Sequence, residues 1–310
     1  MTRYRLILNP AAGGGTARAL VPRIEQLLRE LGLEHELVLT EKPWHAAELA
    51  RIAASETDVV VAAGGDGTAN EVLNGLLKAK DEGHTAAMGV LCIGRGNDFA
   101  FGMGIPHELE AGCRTLAADH RRRIDVGFAR GGDDPDGRYF GNGIGIGFDA
   151  VVGFVAARLK RLRGFAGYFV AAIKTMFIYF TAPRVTIEYS GQSLDLHALM
   201  VSVMNGRRMG GGFMMAPHGC PDDGSLDLCI ARQVSRPKVL YLIGRFIKGT
   251  QESHEAIHTA QTKSITVTAT EGILPAHADG ETLCTEGKHL EIQLVPQAID
   301  IVCQPDGGSP

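Results

Sequence analysis

The feature that most constrains the fold is the stretch at residues 59–71, where an apolar, β-branched run leads into Gly-Gly-Asp-Gly-Thr at 64–68. Five consecutive apolar residues bounded by glycine are typical of a parallel strand that is covered on both faces. Thr68 as an N-cap, with Glu71 three residues later as in a capping box, predicts that a helix follows. The three glycines allow backbone with positive φ and leave no Cβ in the way of a ligand.

This turn is suited to phosphate, because the free N–H groups and the positive dipole end of the following helix point back at it. Asp66 is unexpected there, since a carboxylate repels phosphate unless a divalent cation lies between them. The turn therefore predicts binding of a metal–nucleotide complex. The alternative is an ordinary strand–helix connection in which Asp66 is a solvated turn residue.

Similar loops follow other predicted strands in the first part of the chain. Strand patterns at 4–8, 36–40, 59–63 and 87–93 alternate with helical patterns, which predicts a parallel sheet with helices on both faces. Ligands bind such sheets at the carboxyl ends of the strands. The residues at these ends are Asn9, Thr40, the turn at 64–68 and the loop at 94–98. We therefore expect four loops to meet at one edge of the sheet.

The character of the sequence changes near residue 130. Beyond it, strand patterns dominate, at 139–148, 184–189, 194–204, 226–231, 264–270 and 290–294. The turns are rich in Gly, Asp and Pro, which predicts an antiparallel sandwich or barrel. We therefore predict an α/β nucleotide-binding domain over residues 1–130 and a β-rich domain over 131–310, leaving open whether the last strand returns to the first domain.

One long helical pattern, at 151–180, interrupts the β-rich half. Its basic residues are too frequent for a membrane-spanning helix. An apolar stripe beside the basic cluster Lys160, Arg161 and Arg163 is compatible with an anionic membrane surface. We favour the alternative, a core helix with a solvated basic end.

The composition limits which classes of partner and which cellular compartment we expect for this protein. A formal net charge of −4 provides no basic field for a polyanion, which argues against nucleic acid as the main partner. The six cysteines are scattered without metal-ligand spacing, which favours free thiols in a reducing cytosol. The first residues lead straight into a strand pattern, so we expect no signal peptide. An exposed strand edge in the β-rich half could pair two copies into a homodimer.

Acidic residues stand out at Asp66, Asp98, Asp125 and the pair Asp279 and Glu281. Phosphoryl transfer needs a magnesium ion held between carboxylate and phosphate, a phosphate cradle, and a base that takes the hydroxyl proton. Crowded carboxylates also shift one another's pKa values, so one of them can serve as that base.

Six motifs occur in a fixed order along the chain: Asn9-Pro10 with Gly13, the turn at 64–68 with Asn70-Glu71, Gly96-Asn97-Asp98-Phe99-Ala100, the segment 143–150, Asp223-Gly224-Ser225-Leu226-Asp227, and Asp279-Gly280-Glu281. This ordered set, spanning about residues 5–302, resembles the diacylglycerol kinase catalytic-domain family, nearest its soluble bacterial lipid kinases. The sphingosine and ceramide kinases are relatives of that family.

The resemblance implies an active site in a cleft between a nucleotide domain and a β-rich lipid domain. It implies that ATP is held by Asn9, Pro10, Gly13, Thr40, Gly64, Gly65, Asp66, Gly67, Thr68, Asn70, Glu71, Arg95, Gly96 and Asn97. Asp66, Asp98 and Asp125 would surround the phosphates and Mg²⁺. Asp279 or Glu281 would accept the proton of the lipid hydroxyl, and we favour Asp279 with Glu281 supporting it.

The resemblance also implies a structural Mg²⁺ site, with the Asp223 side chain and the carbonyl groups of Cys220 and Ser225 as ligands. The alternative is an acidic turn capped by glycine. The loop at 92–98 departs from the usual family pattern, since Cys92 replaces a proline and Arg95 a threonine. Arg95 could add a cationic contact to phosphate.

These features predict an ATP- and Mg²⁺-dependent lipid kinase, with diacylglycerol or a similar lipid as acceptor. We expect it in the cytoplasm, peripherally associated with the inner face of the membrane where its substrate lies. One alternative is a kinase for a soluble acceptor such as NAD or a sugar phosphate. Another is a non-catalytic module that binds nucleotide or lipid for regulation.

Overall fold

The computed structural model describes residues 2–158, 165–178 and 182–305. The first half contains strands β1 (Arg3–Leu8), β2 (Glu34–Leu39), β3 (Val59–Gly64) and β4 (Ala87–Cys92). Its helices are α1 (Ala12–Gly15), α2 (Ala17–Glu30), α3 (His45–Ala53), α4 (Asp66–Asp81), α5 (Asp98–Gly102) and α6 (Leu109–Ala118).

The second half contains strands β5 (Arg121–Gly131), β6 (Asp134–Phe140), β7 (Gly143–Gly147), β8 (Arg184–Tyr189), β9 (Gln192–Met204), β10 (Leu226–Arg232), β11 (Ile257–Thr262), β12 (Ser264–Glu271), β13 (Leu274–Ala278), β14 (Glu281–Gly287) and β15 (His289–Val302). Its helices are α7 (Phe148–Arg158), α8 (Phe165–Ile178) and α9 (Arg236–Lys248), with a 3₁₀ turn at Gln251–Ser253.

The chain forms two compact units. The first contains residues up to Asp125 and those from Gln297 onward, and the second is Val126–Pro296. β5 and β15 therefore each begin in one unit and end in the other. The sequence placed one boundary near residue 130 and left open whether the last strand returns to the first domain; in the structure the chain changes unit at two positions.

The first unit is built on a parallel sheet in the order β4-β3-β1-β2. Every residue of β3 is buried, because helices cover both faces of the sheet. The predicted α/β fold of this half is thus confirmed. Ile301, near the end of β15, pairs in parallel with Met88 of β4 and adds a final strand to this sheet.

The second unit is antiparallel, which confirms the β-rich prediction. β9 pairs with β7, β8 and β10, while β13 pairs with β7 and β14. Its core consists of aliphatic side chains from these strands, including the fully buried Ile144, Val203 and Ile230. Such alternating inward residues are the source of stability in a two-layer β fold.

Several predicted elements differ from the structure. The strand pattern at 139–148 contains the end of β6, all of β7 and the start of α7, separated by a turn at 141–142. The helical pattern at 151–180 contains most of α7 and all of α8. Lys160, Arg161, Arg163 and Phe180 lie outside the described residues. Sequence reasoning missed β11, β13 and β14, and β13 gives no alternating pattern because all its residues are buried.

Among the described residues, no helix is both long enough and apolar enough to cross a membrane.

Candidate active site

The carboxyl ends of β1, β3 and β4 are tied together by hydrogen bonds. The Asn9 N–H donates to the Ala63 carbonyl at 3.1 Å, and the Gly94 N–H donates to the Gly64 carbonyl at 2.9 Å. The Asn9 side-chain amide also donates to the Thr68 hydroxyl at 3.2 Å. Three of the four predicted loops therefore meet at one edge of the sheet.

The fourth predicted position, Thr40, follows β2 at the same end of the sheet. Its N–H donates to the Leu8 carbonyl at 2.9 Å, next to the start of the first glycine loop. Thr40 is buried, and this backbone bond joins it to the end of β1.

The glycines of the 64–68 turn act by lacking a side chain rather than by positive φ. Gly65 has a φ of −106°, and Gly64, Gly65 and Gly67 do not use the positive φ that glycine allows. A Cβ on Gly94 would overlap the Cα of Gly65 and lie 2.6 Å from the Asn97 amide oxygen. The two glycine loops therefore approach backbone to backbone. The positive φ values occur instead in the first loop, at Gly13, Gly14 and Gly15.

Helix α4 begins at Asp66, two residues before the predicted N-cap Thr68. Thr68 is buried inside the first turn and accepts the Asn9 amide. Glu71 accepts the Ala46 N–H at 3.0 Å and so caps α3 instead of its own helix. The predicted capping box is thus wrong, because both side chains turn to neighbouring segments. The N–H groups of the first turn remain directed at the edge of the sheet.

Asp66 and Asp98 face the same point beside Gly96. A Cβ on Gly96 would lie 2.9 Å from Asp66 Oδ2 and 3.5 Å from Asp98 Oδ2, so glycine leaves room for both carboxylates. The other Asp66 oxygen accepts the Phe99 N–H at 3.0 Å. Burial raises the pKa of Asp66, although N–H groups of the 97–99 backbone oppose that shift. Two acidic side chains that share one space can hold a hard cation.

Arg95 links the first and third glycine loops. Its guanidinium donates to the Gly13 carbonyl at 2.8 Å, and the side chain is exposed. A guanidinium carries five N–H donors, so further donors are available to an anion at this edge.

Asp125 has a structural contact within the first unit. It is buried, and its Oδ1 accepts the Gln297 N–H at 2.7 Å. This hydrogen bond joins β5 to β15 at the two places where the chain changes unit. The predicted place of Asp125 among the phosphate-binding acids stays a prediction.

Asp279 lies in the turn between β13 and β14 and is buried. Its carboxylate accepts the N–H groups of Gly141 at 2.7 Å, Asn142 at 3.0 Å and Gly143 at 2.8 Å. Three charge-assisted hydrogen bonds fix the 141–143 turn to the 279–281 turn. The Asp279 side chain therefore fixes the backbone of the second unit through these hydrogen bonds.

Glu281, two residues later, is exposed at the start of β14. Within the described part of the chain its carboxylate has no hydrogen bond. Of the two predicted base candidates, Glu281 is thus the one whose lone pairs remain available to a substrate proton.

A second polar group, which the sequence did not single out, lies beside this turn. Asp149 Oδ2 lies 3.9 Å from His277 Nε2 and accepts the Ser202 hydroxyl at 3.4 Å. The His277 Nδ1 accepts the Gly280 N–H at 3.2 Å. The segment 143–150 was noted in the sequence, but the contacts of Asp149 with Ser202 and His277 join residues more than 50 positions apart.

Asp149 also lines a partly open apolar cavity in the second unit, which together with the solvent at its open side contains about 560 Å³ of empty space. The remaining lining is almost wholly aliphatic or aromatic: Phe148, Val152, Ala172, Leu199, Met200, Phe213, Met215, Ala231, Val239, Leu242, Ile243 and Phe246. A cavity of this kind, with one carboxylate in its wall, fits a ligand with a long apolar part and a polar end.

The loop predicted to hold structural Mg²⁺ forms an acidic turn. Asp223 Oδ1 accepts the Ser225 N–H at 2.9 Å, and the Cys220 thiol donates to Asp222 Oδ1 at 3.0 Å. Across the described ranges, no cluster of three His, Cys, Asp or Glu side chains could hold a metal ion. The Mg²⁺ site at Cys220, Asp223 and Ser225 therefore stays a prediction.

Two family matches cover most of the chain. Residues 3–129 match the family described as "Diacylglycerol kinase catalytic domain", and residues 142–303 match the "YegS C-terminal NAD kinase beta sandwich-like domain". The chain therefore belongs to the diacylglycerol kinase catalytic-domain family, a family of lipid kinases. This confirms the predicted family and, at that level, a phosphotransferase.

Named relatives agree with this assignment. A "Diacylglycerol kinase" of Staphylococcus saprophyticus subsp. saprophyticus is 27% identical, over 86% of this chain and 85% of its own. A "Probable lipid kinase YegS-like" of Chromohalobacter salexigens is 30% identical, over 94% of this chain and 91% of its own.

Solved structures support the same fold. A diacylglycerol kinase from Bacillus anthracis str. Sterne superposes with a TM-score of 0.74 at 23% identity, covering 98% of both chains. An NAD kinase from Archaeoglobus fulgidus in complex with ATP gives a TM-score of 0.55 at 15% identity, covering 98% of this chain and 95% of its own. At these identities the likeness concerns the fold.

The close approach of Gly65 and Gly94 predicts a strong effect of a single methyl group. We expect Gly94→Ala to raise the Kd for a non-hydrolysable ATP analogue about tenfold or more, because the overlap costs roughly 1–3 kcal/mol. Calorimetric titration measures this. Gly244→Ala is the matched control, since a Cβ there meets no atom within 4 Å. An unchanged Kd in Gly94→Ala would show that the loops do not hold the nucleotide.

Proposed function

We propose that this protein transfers the γ-phosphate of ATP to the hydroxyl of a lipid, with diacylglycerol or a similar lipid as the acceptor. The observation that carries the choice of a lipid is the apolar cavity with Asp149 in its wall. The acceptor would place its hydrocarbon part in this cavity and its polar end toward Asp149 and the turn at 277–281.

The first unit would hold ATP. The N–H groups at the start of α4, the glycine loops and the Arg95 guanidinium suit the phosphates. Asp66 and Asp98, which face the same space beside Gly96, suit the Mg²⁺ ion that accompanies ATP. When bound, Mg²⁺–ATP supplies the phosphoryl group and the positive charge that offsets charge developing on it.

The second unit would supply the base. Glu281 is exposed, so it can accept the proton of an incoming hydroxyl. Asp279 would position Glu281, because its three backbone hydrogen bonds hold the turn that carries both residues. This reverses the roles we assigned to the two carboxylates from the sequence.

A soluble acceptor such as NAD or a sugar phosphate fits the second unit less well. Such molecules are charged and polar, whereas the cavity lining offers one carboxylate among apolar side chains. A non-catalytic regulatory module would need neither the Asp66–Asp98 arrangement nor an exposed Glu281. We therefore expect an active enzyme at the cytoplasmic face of the membrane.

The test is label transfer from γ-labelled ATP, in the presence of Mg²⁺, to a panel of lipid and soluble alcohols. We expect a labelled phospholipid with diacylglycerol or a related lipid. Transfer only to soluble acceptors would favour the NAD or sugar-phosphate alternative. ATP binding without transfer to any acceptor would favour the regulatory module.

A substitution that fills the cavity distinguishes a lipid acceptor from a soluble acceptor. Ala172 is buried in the cavity wall, so Ala172→Phe should lower kcat/KM for the lipid about tenfold, by occupying the space of an acyl chain. The affinity for ATP should not change. Ala118→Phe, at an exposed position of α6, is the matched control. Equal lipid turnover by both variants would remove the cavity from substrate binding.

A further inference from the structure

Helix α8 exposes large apolar side chains to solvent. Phe177 is 65% exposed and Ile178 is 70% exposed, and Phe165 and Phe169 on the same helix are also exposed. Its opposite side, with Ala171, Ala172 and Met176, is buried. The core-helix interpretation that we favoured from the sequence therefore accounts for only one side of α8. A helix that is apolar on its outer side as well needs a second apolar environment.

Helix α9 adds a second set of exposed apolar residues. Leu240 is 50% exposed and Tyr241 is 56% exposed, whereas its inner side, with Leu242 and Phe246, is buried. The Arg236 guanidinium lies 5.9 Å from the centre of the Phe177 ring, which joins the outer sides of the two helices. Leu240 is one turn beyond Arg236 on the same face of α9. We call the outer side of α8 and α9 the apolar–basic face.

The charged side chains of α8 and α9 are all basic, in contrast to the net charge of the whole chain. α8 and α9 contain no Asp or Glu, whereas the full chain has a net charge of −4. Their basic residues are Lys174, Arg236, Lys238, Arg245 and Lys248. Apolar side chains flanked by Lys and Arg on adjacent helices complement a surface that is apolar inside and anionic outside.

The same two helices line the apolar cavity from within. Ala172 of α8 and Val239, Ile243 and Phe246 of α9 lie in the cavity wall. A layer one helix thick thus separates the cavity from the apolar–basic face. A membrane bound at that face would lie next to the space proposed for the acyl chain.

We propose that the apolar–basic face docks on an anionic lipid bilayer, inserting Phe177, Ile178, Leu240 and Tyr241 among the acyl chains. Lys174, Arg236 and Lys248 contact the anionic headgroups, whereas Lys238 is paired with Glu255 at 3.2 Å. This inference rests on the proposed lipid kinase function in that docking places the cavity at the source of its substrate.

The test is co-sedimentation of the full chain with vesicles, using neutral phosphatidylcholine alone or with roughly 30 mol% of an anionic phosphatidylglycerol. We expect binding to the anionic vesicles and at least tenfold weaker binding to the neutral ones. Raising the salt to about 0.5 M should weaken the anionic binding, since it screens the headgroup contacts.

The variant Phe177→Glu/Leu240→Glu should bind the anionic vesicles at least tenfold less than the wild type. Ile52→Glu is the matched control, because Ile52 is 53% exposed on α3 in the first unit. The double variant should still phosphorylate lipid dispersed in detergent, which shows that it is folded and that only docking is lost. Equal vesicle binding by the double variant and the wild type would overturn the proposal.

Two further outcomes separate the proposal from its alternatives. Vesicle binding that depends on this face, without transfer to any lipid, would keep the docking inference and reject the proposed kinase function. Sedimentation velocity without vesicles tests a second copy of the chain as the occupant. A dimer that Phe177→Glu/Leu240→Glu converts to monomer would overturn the membrane assignment.

Discussion

Replacing Glu281 by glutamine is expected to lower kcat for lipid phosphorylation about 100- to 10,000-fold, the usual contribution of a general base. The temperature of unfolding should not change, because Glu281 is exposed and its side chain has no hydrogen bond among the described residues. Steady-state label transfer and a thermal scan on the same preparation measure both quantities.

The variant Asp279→Asn tests whether Asp279 has a structural role or is itself the base. The amide presents one oxygen and one NH₂ group to the three N–H groups that the carboxylate accepts, so at least one buried N–H loses its partner. Each unsatisfied group costs roughly 1–3 kcal/mol, and we expect a lower unfolding temperature. If Asp279→Asn keeps its stability and loses kcat while Glu281→Gln remains active, Asp279 is the base.

Asp66→Asn is expected to lower kcat/KM about 100- to 1,000-fold, because the substitution removes a carboxylate that would hold the Mg²⁺ ion beside the phosphates. The same substitution should raise stability at pH 7. Burial raises the pKa of Asp66 above its unfolded value, so the ionised carboxylate costs stability at neutral pH. This cost is absent at a pH below the pKa that Asp66 has in the unfolded chain. It grows as the pH rises from that value through the raised pKa of Asp66 in the folded protein.

The gain in unfolding temperature of Asp66→Asn over the wild type should therefore be largest at neutral pH and vanish toward pH 3 to 4, close to the ordinary Asp pKa of about 3.9. Thermal scans across this pH range measure it. Asp136→Asn is the control, because Asp136 is exposed in β6. A loss of stability in Asp66→Asn at pH 7 would mean that the carboxylate is required by the fold rather than by the substrate.

The parts of the site that depend on residues close together in the sequence were predictable. The run into the turn at 64–68 predicted a buried strand, a helix and a ligand-binding edge, since strand burial and the glycine turn leave local patterns. Asn9 and the 94–98 loop were placed at the same edge by the alternation of strands and helices alone. The details of that turn were not predictable, since Thr68 and Glu71 bond to segments elsewhere in the chain.

The contacts of the second unit could not be predicted from the sequence for a different reason. The role of Asp279 depends on N–H groups more than 130 positions earlier, and no local pattern reports such a pairing. β13 lacks alternation because it is buried on both sides. Helix α8 is apolar around its circumference, so the sequence could not show which side faces solvent.

The segment that begins at Gln297 has a consequence for synthesis of the protein. Its N–H bonds to Asp125, the Ala298 carbonyl accepts Lys80, and Ile301 completes the sheet beside Met88. The first unit is thus completed by a strand that is synthesised after the whole of the second unit. A nascent chain that ends before Gln297 contains the complete sequence of the second unit, while the sheet of its first unit still lacks this strand.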